Sequence, residues 1–589
     1  MAEVSNDVKP PAGGPPNGDR PARDSFKVRM PSRTLSRTEA VARVSQYAAT
    51  PMENGSGSAT PFGDGAPTTP LYEVIHAHNP NARPSMPDRQ PTMSVENLVS
   101  RDDRQQAIAK LGIHDSSVEA VMPVLPGQEF HLASWLTSGR TLAEPTWAFR
   151  TKIPVDEHRL RSAWAVLRRR HPIMRSTLVA VRPDEAFTVV LRQSSGASNY
   201  ATFSKAKFRE GTLEEKVKKE LKKIASQPST LKTPPTRLTL VQGDIQEGDA
   251  ILITIHHAAC DTRSMGLLVH ELTELYQGRP VVSKAPSFRN FVKETLFTHD
   301  AQAEEDFWRE SLHDCEETIV KPEKDAEGNP LKKNEIVVSG TKAHVSDLEK
   351  AAAQAGVTPP TVIYLAFSHI LAEKTGAKRP VFGCFHNGRQ SLDGVDRIDD
   401  LVGPCSTMLP TTIPEDVDVS HELNGSRTEL IQSLQSVHEH LNAQVPYEQS
   451  CLRDVLRWAE VGESVPFNAY LNILWNTKLQ GASQSGSPAG TPPVSDNQPW
   501  ERMDLGMRTD YSAAAAIPGR TTVDLLDTST VMRKHNVFVD VGCDREEAGG
   551  GVLEIRLSAN EVLLTRPDLE HYAHQIDKEI ADLTECLLS

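Results

Sequence analysis

Three observations predict an α+β protein: strand-like and helix-like segments alternate, one apolar run reads as a fully buried strand, and an amphipathic helix closes the chain. The body so predicted holds about 480 residues, more than one hydrophobic core serves comfortably. Ahead of it, residues 1–105 read as a disordered tail rich in Pro, Gly and Ser. The first hundred residues carry 14 of the 41 Pro, with Pro/Gly/Ser clusters from Pro10 to Pro16, Asn54 to Ser58 and Pro61 to Pro70. Such a composition buries too little apolar surface to offset the entropy of ordering. Within it, Ser32 to Arg37 has the basic residues beside hydroxyls that a basophilic kinase would read; a solvated tail with chance spacing is the commoner origin of such a string.

The elements follow in order. Ala163-Trp164, Leu167 and Arg168-Arg169-Arg170 form an amphipathic helix whose basic end suits the helix dipole. Ala250 to His256 is apolar on both faces, as a strand inside a sheet requires. Met265, Leu268, Leu272 and Leu275 have helical spacing within Arg263–Tyr276, and Gly278 and Pro280 stop that helix. Pro359 to Phe367 opens a further helix, and Arg379 to Phe385 reads as a strand. The Ser/Gly/Pro-rich stretch 481–499 reads as a loop insertion. Leu569, Tyr572, Ile576, Ile580, Leu583 and Leu587 mark the closing helix.

Composition narrows the function classes. The formal charge is −14 and residues 1–100 are neutral, with ten basic and ten acidic side chains, so the acidic charge sits on the body. That argues against nucleic acid, whose capture needs clustered Lys and Arg. No apolar stretch approaches the roughly 18 residues of a membrane span, and the N-terminus lacks a secretory pattern. Seven scattered Cys without a CxxC pair suit free thiols in a reducing compartment. The expectation is a cytoplasmic protein that binds neither membrane nor nucleic acid.

The chemistry concentrates in His256-His257-Ala-Ala-Cys260-Asp261. Strand alternation would set His257 on the face of Ile251, Ile253 and Ile255, with His256 on the opposite face. The two Ala allow a tight turn, and Asp261 or Thr262 can cap the next helix. Several readings stay open on these residues. The His pair could bond only to backbone, with Asp261 a mere helix cap. A metal would need a third ligand, and two His on opposite faces cannot share one ion. Cys260 could be a nucleophile, although buried thiols are usually inert. His257 as a general base is the leading reading.

The string resembles the HHxxxD signature of the condensation domains of nonribosomal peptide synthetases, within the chloramphenicol-acetyltransferase-like acyltransferases. Other segments resemble that family's motifs in the same order. Leu125-Pro-Gly-Gln128 through Trp135 is similar to its opening motif, and Arg170-His171 through Arg175 to Leu178 to its RHxxLRTxF segment. Ser287 to Phe291 supplies the aromatic stretch, Val381 to Arg389 the "GR" strand, and Val402 to Pro410 the GPFxNTLP loop. His438 to Glu448, Leu452-Arg453-Asp454 and Phe467-Asn468 to Asn476 resemble the late motifs. The resemblance runs from about residue 106 to the C-terminus.

It implies two similar lobes, 106–295 with the His motif and 296–589, meeting in a V around an active-site tunnel. His257 inherits action on the acceptor, as general base or by positioning it against a thioester carbonyl. His256 and Asp261 inherit supporting roles, Asp261 by pairing with Arg389, which otherwise reads as an exposed turn residue. Asn476 would donate a hydrogen bond near the reacting centre, and Gly403, Pro404 and Thr407 would floor the donor side. The reaction implied is transfer of an acyl or aminoacyl group from a pantetheine thioester, on CoA or a carrier protein, to an amine or hydroxyl. No metal and no tightly bound cofactor are expected; phosphopantetheine or CoA enters as the substrate's arm.

Three departures stand out. Thr262 occupies a position where the family has Gly, Cys405-Ser406-Thr407 replaces Phe/Val-Asn-Thr, and only Asp504-Leu-Gly-Met faintly echoes the DFGWG of related acyltransferases. The first two support an alternative, a non-catalytic domain of this fold that binds a carrier protein or synthetase partner. With no adenylation signature and no carrier motif, a stand-alone condensation domain is expected. The Leu125–Trp135 opening points to fungal siderophore synthetases.

Overall fold

The structure is a computed structural model. It describes residues 99–589 apart from 152–153, 194–201, 207, 209, 244–246, 298–299, 322–332, 390–394, 420–425, 462–463, 476–499, 504–520, 529–530 and 545–549. The expected tail up to residue 98, the 481–499 insertion, Asn476 and the Asp504 echo therefore lie outside the described residues.

The first element begins inside the stretch read as tail. Helix α1 (Arg101–Leu111) starts where Ser100 Oγ accepts the Asp103 amide at 3.1 Å, and it ends at Gly112 in the left-handed region. Ala107 and Ile108 are buried in it. Its apolar residues, Ala107, Ile108, Ala109 and Leu111, crowd its C-terminal end and give no helical periodicity over its length. Strand β1 (Val118–Pro123) leads into α2 (Pro126–Thr137), where Pro126 needs no amide partner in the first turn. Then follow β2 (Thr146–Thr151), α3 (Glu157–Arg170), β3 (Ser176–Arg182), β4 (Glu185–Leu191) and β5 (Phe203–Ala206). The first half closes with α4 (Leu213–Ala225), β6 (Thr236–Gln242), β7 (Asp249–Ile255), α5 (Thr262–Tyr276) and α6 (Phe288–Phe297).

The second half contains α7 (Ala301–Ser311), β8 (Lys333–His344), α8 (Val345–Ala355), α9 (Pro359–Thr375), β9 (Phe382–His386) and β10 (Thr407–Thr411). After them come α10 (Arg427–Gln444), α11 (Leu452–Trp458), β11 (Ala469–Leu474), β12 (Trp500–Arg502), β13 (Val537–Asp544), β14 (Val552–Asn560) and α12 (Arg566–Leu588). Strand β9 starts three residues later than the apolar run suggested, because the Arg379 guanidinium leaves the sheet to bond the carbonyls of Ser311 and Ile413 at 3.0 Å each.

Among the described residues, three sheets organise the fold. A three-stranded sheet runs β1-β4-β3, a five-stranded sheet β12-β2-β7-β6-β5, and a six-stranded sheet β10-β9-β11-β13-β14-β8. All seven residues of β7 are buried, which agrees with its continuous apolar run. On the six-stranded sheet lie α8, α9 and α12, whose Leu569, Tyr572, Ile576, Ile580, Leu583 and Leu587 all enter its core. Among the described residues no single helix is long and apolar enough to cross a membrane.

The halves are interleaved. Strand β12, from the C-terminal half, pairs antiparallel with β2 of the first half, Trp500 opposite Thr151. Conversely, α2 of the first half sends Phe130 against Phe385 of β9 (ring centroids 5.3 Å) and Tyr470 of β11 (5.8 Å). Glu129 meets Arg453 at 2.7 Å across the same boundary.

Candidate active site

The His motif sits where β7 runs out. The strand ends at Ile255, and a turn closes with the Ala259 amide on the His256 carbonyl (2.8 Å) before α5 begins. The His256 and His257 amides still point to opposite neighbours, the carbonyls of Pro235 (3.1 Å) and Ala143 (2.7 Å). Both rings lie against one face of α2: His257 stacks on His131, with centroids 4.9 Å apart and planes at 22°, while His256 meets Trp135 edge-on at 5.2 Å. His131 and Trp135 are one helical turn apart.

Burial gives the two imidazoles different chemistry. His256 is fully buried; its Nδ1 accepts the Ala258 amide at 3.0 Å, which leaves the proton on Nε2. Burial, and then the neighbouring His257, push its pKa down to about 3, so this ring stays neutral. His257 is only partly buried. Its Nδ1–H donates to the Cys260 carbonyl at 3.0 Å, so in the neutral ring Nε2 carries the basic lone pair.

Asp261 serves as both cap and anchor. Its Oδ1 accepts the Ser264 amide at 2.8 Å as the N-cap of α5. The same carboxylate binds Arg389 bidentately, at 2.6 and 2.9 Å, and accepts the Cys405 amide at 3.0 Å. Burial alone would raise its pKa, but the charge and hydrogen bonds of Arg389 and the bond from Ser264 outweigh that and hold it below the ordinary value. Arg389 is 1% exposed, which removes the reading of it as an exposed turn residue. Ahead of it Gly388 adopts φ +66°, and a Cβ there would lie 1.9 Å from the Cys405 carbonyl oxygen.

The floor segment is tied to the same centre. Ser264 Oγ donates to the Gly403 carbonyl at 2.8 Å and accepts the Gly403 amide at 2.9 Å. Pro404 is buried between Gly403 and Cys405, and Thr407 Oγ1 donates to the Glu448 carbonyl at 2.6 Å. Thus His256, His257, Asp261, Arg389, Gly403, Pro404 and Thr407 form one connected region. Burial raises the Cys260 thiol well above its ordinary pKa, and Cys260 Sγ donates to the Asp261 carbonyl at 3.3 Å, so the thiol nucleophile reading falls. Among the described residues no group of three or more His, Cys, Asp or Glu could hold a metal ion.

Thr262 occupies the first turn of α5, exposed, with a backbone outside the left-handed region. Glycine's conformational freedom is therefore not needed at this position. Reading the sequence missed Gln128 and His131. Gln128 is fully buried and donates to the Ala258 carbonyl at 2.8 Å, pinning the His turn, while its Oε1 accepts the Leu125 amide at 2.9 Å. Both lie in the Leu125–Trp135 segment, and the spacing of 131 and 135 was the signal that put His131 on the site face. Arg170 and His171 instead buttress the scaffold, meeting Glu271 of α5 at 3.0 and 2.6 Å.

Comparisons with known proteins bear on the family of the chain. The Condensation domain family model matches residues 119–489. Nonribosomal peptide synthetase sidN of Epichloe festucae is 34% identical over 519 residues, which cover 87% of this chain and 11% of that protein. Siderophore peptide synthetase fer3 of Mycosarcoma maydis is 29% identical over 470 residues, covering 76% and 9%. The chain thus spans about a tenth of these relatives' length. The solved condensation domain from the Monacolin K polyketide synthase MokA superposes with a TM-score of 0.58 at 13% identity, covering 80% of this chain and 98% of that one. With the family model spanning more than half of its residues and the HHxxxD turn held by Arg389 as described, the chain belongs to the condensation-domain family.

Proposed function

We propose that this chain is an acyltransferase of the condensation type, moving an acyl or aminoacyl group from a pantetheine thioester to an amine or hydroxyl acceptor, with His257 as the base. The observation that carries the reading is the state of the His257 ring. Its Nδ1–H is committed to the Cys260 carbonyl, which makes Nε2 the proton acceptor, and the ring is partly exposed while His256 is sealed. As the acceptor's nitrogen or oxygen attacks the thioester carbonyl, a C–N or C–O bond forms and the C–S bond breaks. Nε2 takes the acceptor's proton and returns it to the departing thiolate, so no metal or redox partner is needed. Asp261 and Arg389 act on the turn that carries the ring and do not touch the reacting atoms. The pantetheine arm, on CoA or on a carrier protein, presents the thioester from the side of Gly403, Pro404 and Thr407. Asn476 belongs to this proposal as a hydrogen-bond donor near the reacting centre. The likeness to a siderophore peptide synthetase supports hydroxamate-type acyl groups and acceptors as first substrates.

The test is thiol release from a panel of acyl-CoA and acyl-carrier thioesters with amine and hydroxyl acceptors, for wild type and His257→Ala. Release that requires an acceptor and falls at least about a hundredfold in the variant, with its melting point preserved, supports the base. Acceptor-dependent release that survives the substitution removes His257 from the mechanism. Absence of release from every thioester, combined with retained binding of acylated carrier, favours the alternative, a non-catalytic domain that captures a carrier protein.

A further inference from the structure

His131 lies flat against His257. The rings are 4.9 Å apart at 22°, whereas Trp147 of β2 meets His257 nearly perpendicularly, at 6.3 Å and 84°. With Nδ1 bonded to the Cys260 carbonyl, the imidazole is fixed by three separate elements: a hydrogen bond from the turn, an edge contact from β2 and a stacked face from α2. His131 is itself half-buried, and burial first, then His257 and His256, hold its pKa well below the ordinary value. It is therefore neutral near pH 7. A neutral ring face within about 6 Å of a cation attracts it. The cation here is the His257 imidazolium formed when the base takes the acceptor's proton.

We propose that His131 is a positioning residue for His257: its ring face sets the plane of the base and stabilises the imidazolium formed as the acceptor loses its proton. The inference rests on the reading of His257 as the base. An interaction stronger in the transition state than in the ground state acts on kcat and leaves substrate binding nearly alone.

The experiment compares His131→Leu and His131→Phe in the full chain. It measures kcat and KM for thiol release, with His257→Ala beside them and the His257 Cε1–H resonance recorded by NMR for each variant. Leu should lower kcat about tenfold, with both KM values within about twofold. Phe, which keeps a face to stack, should recover kcat to within about threefold of wild type. The His257 resonance should lose its ring-current shift in Leu and keep one in Phe. Wild-type kcat in His131→Leu, or equal losses in Leu and Phe, would overturn the positioning role while a dead His257→Ala leaves the base reading intact. A fully active His257→Ala would overturn both. Should His131→Leu fail to fold, His131→Met provides the same contrast with Phe.

Discussion

His256 and His257 have the same side chain and adjacent positions, yet His256 is sealed and His257 is partly exposed. For His256 the cost of charging a fully buried ring governs, and its pKa falls from 6.5 to about 3. The unfolded chain therefore takes up a proton as pH drops below about 6.5, while the folded chain does so only near 3. Stability from this residue is intact above 6.5 and is lost as pH falls toward 3, by about 2 kcal/mol at pH 5. His256→Asn removes the titrating group and keeps an acceptor for the Ala258 amide. Its urea midpoint is expected to fall less between pH 7.5 and pH 5 than that of wild type. Equal falls in the two proteins would show that His256 does not govern this window.

At the scale of elements, the site depends on how closely α5, α6 and the floor segment approach one another. Gly403 lies under Phe288 of α6, and a Cβ at Gly403 would stand 2.2 Å from the Phe288 ring. Gly127 in α2 is equally tight, a Cβ there falling 1.9 Å from the Ser406 carbonyl oxygen. Gly403→Ala is expected to cost about 1–3 kcal/mol through overpacking. Phe288→Leu in the same chain should recover most of it, because the clash is with the ring and not with backbone. Chemical denaturation of the two single variants and the double variant checks this. Strict additivity would exclude the contact as the cause. The sequence marked both segments as motifs, and the strand β7, the helix α5 and the closing helix α12 were legible from apolar spacing alone. Helix α1 was not, since only Ala107 and Ile108 of it are buried.

Over the whole molecule, a short strand from the C-terminal half completes the sheet that carries the His motif. Trp500 of β12 is 3% exposed and packs against Tyr276 of α5, ring centroids 5.4 Å apart. Val523 and Leu526 return to the same half and pack with Leu132 and Trp135 of α2. Trp500→Ala is expected to cost about 3–5 kcal/mol, as removal of a buried Trp does. It should also increase proteolysis within residues 106–295, not only around position 500. A loss under about 1 kcal/mol would show that the first half closes without the returning strand.

What the sequence determined by itself is the set of local choices: the buried strand, the turn after it, a helix cap at Asp261 or Thr262 and the ordered motifs that resemble the condensation family. These are short-range patterns of burial and hydrogen bonding, so they can be read from neighbours along the chain. The pairing of Asp261 with Arg389, 128 residues away, was implied only by the family resemblance, and the tertiary structure alone decided that Gln128 pins the Ala258 carbonyl and that β12 crosses to the first sheet. It also decided that both imidazoles meet α2, through His131 and Trp135 one helical turn apart. Contacts of that kind are set by how separate elements pack, and no periodicity within either element encodes the partner it meets.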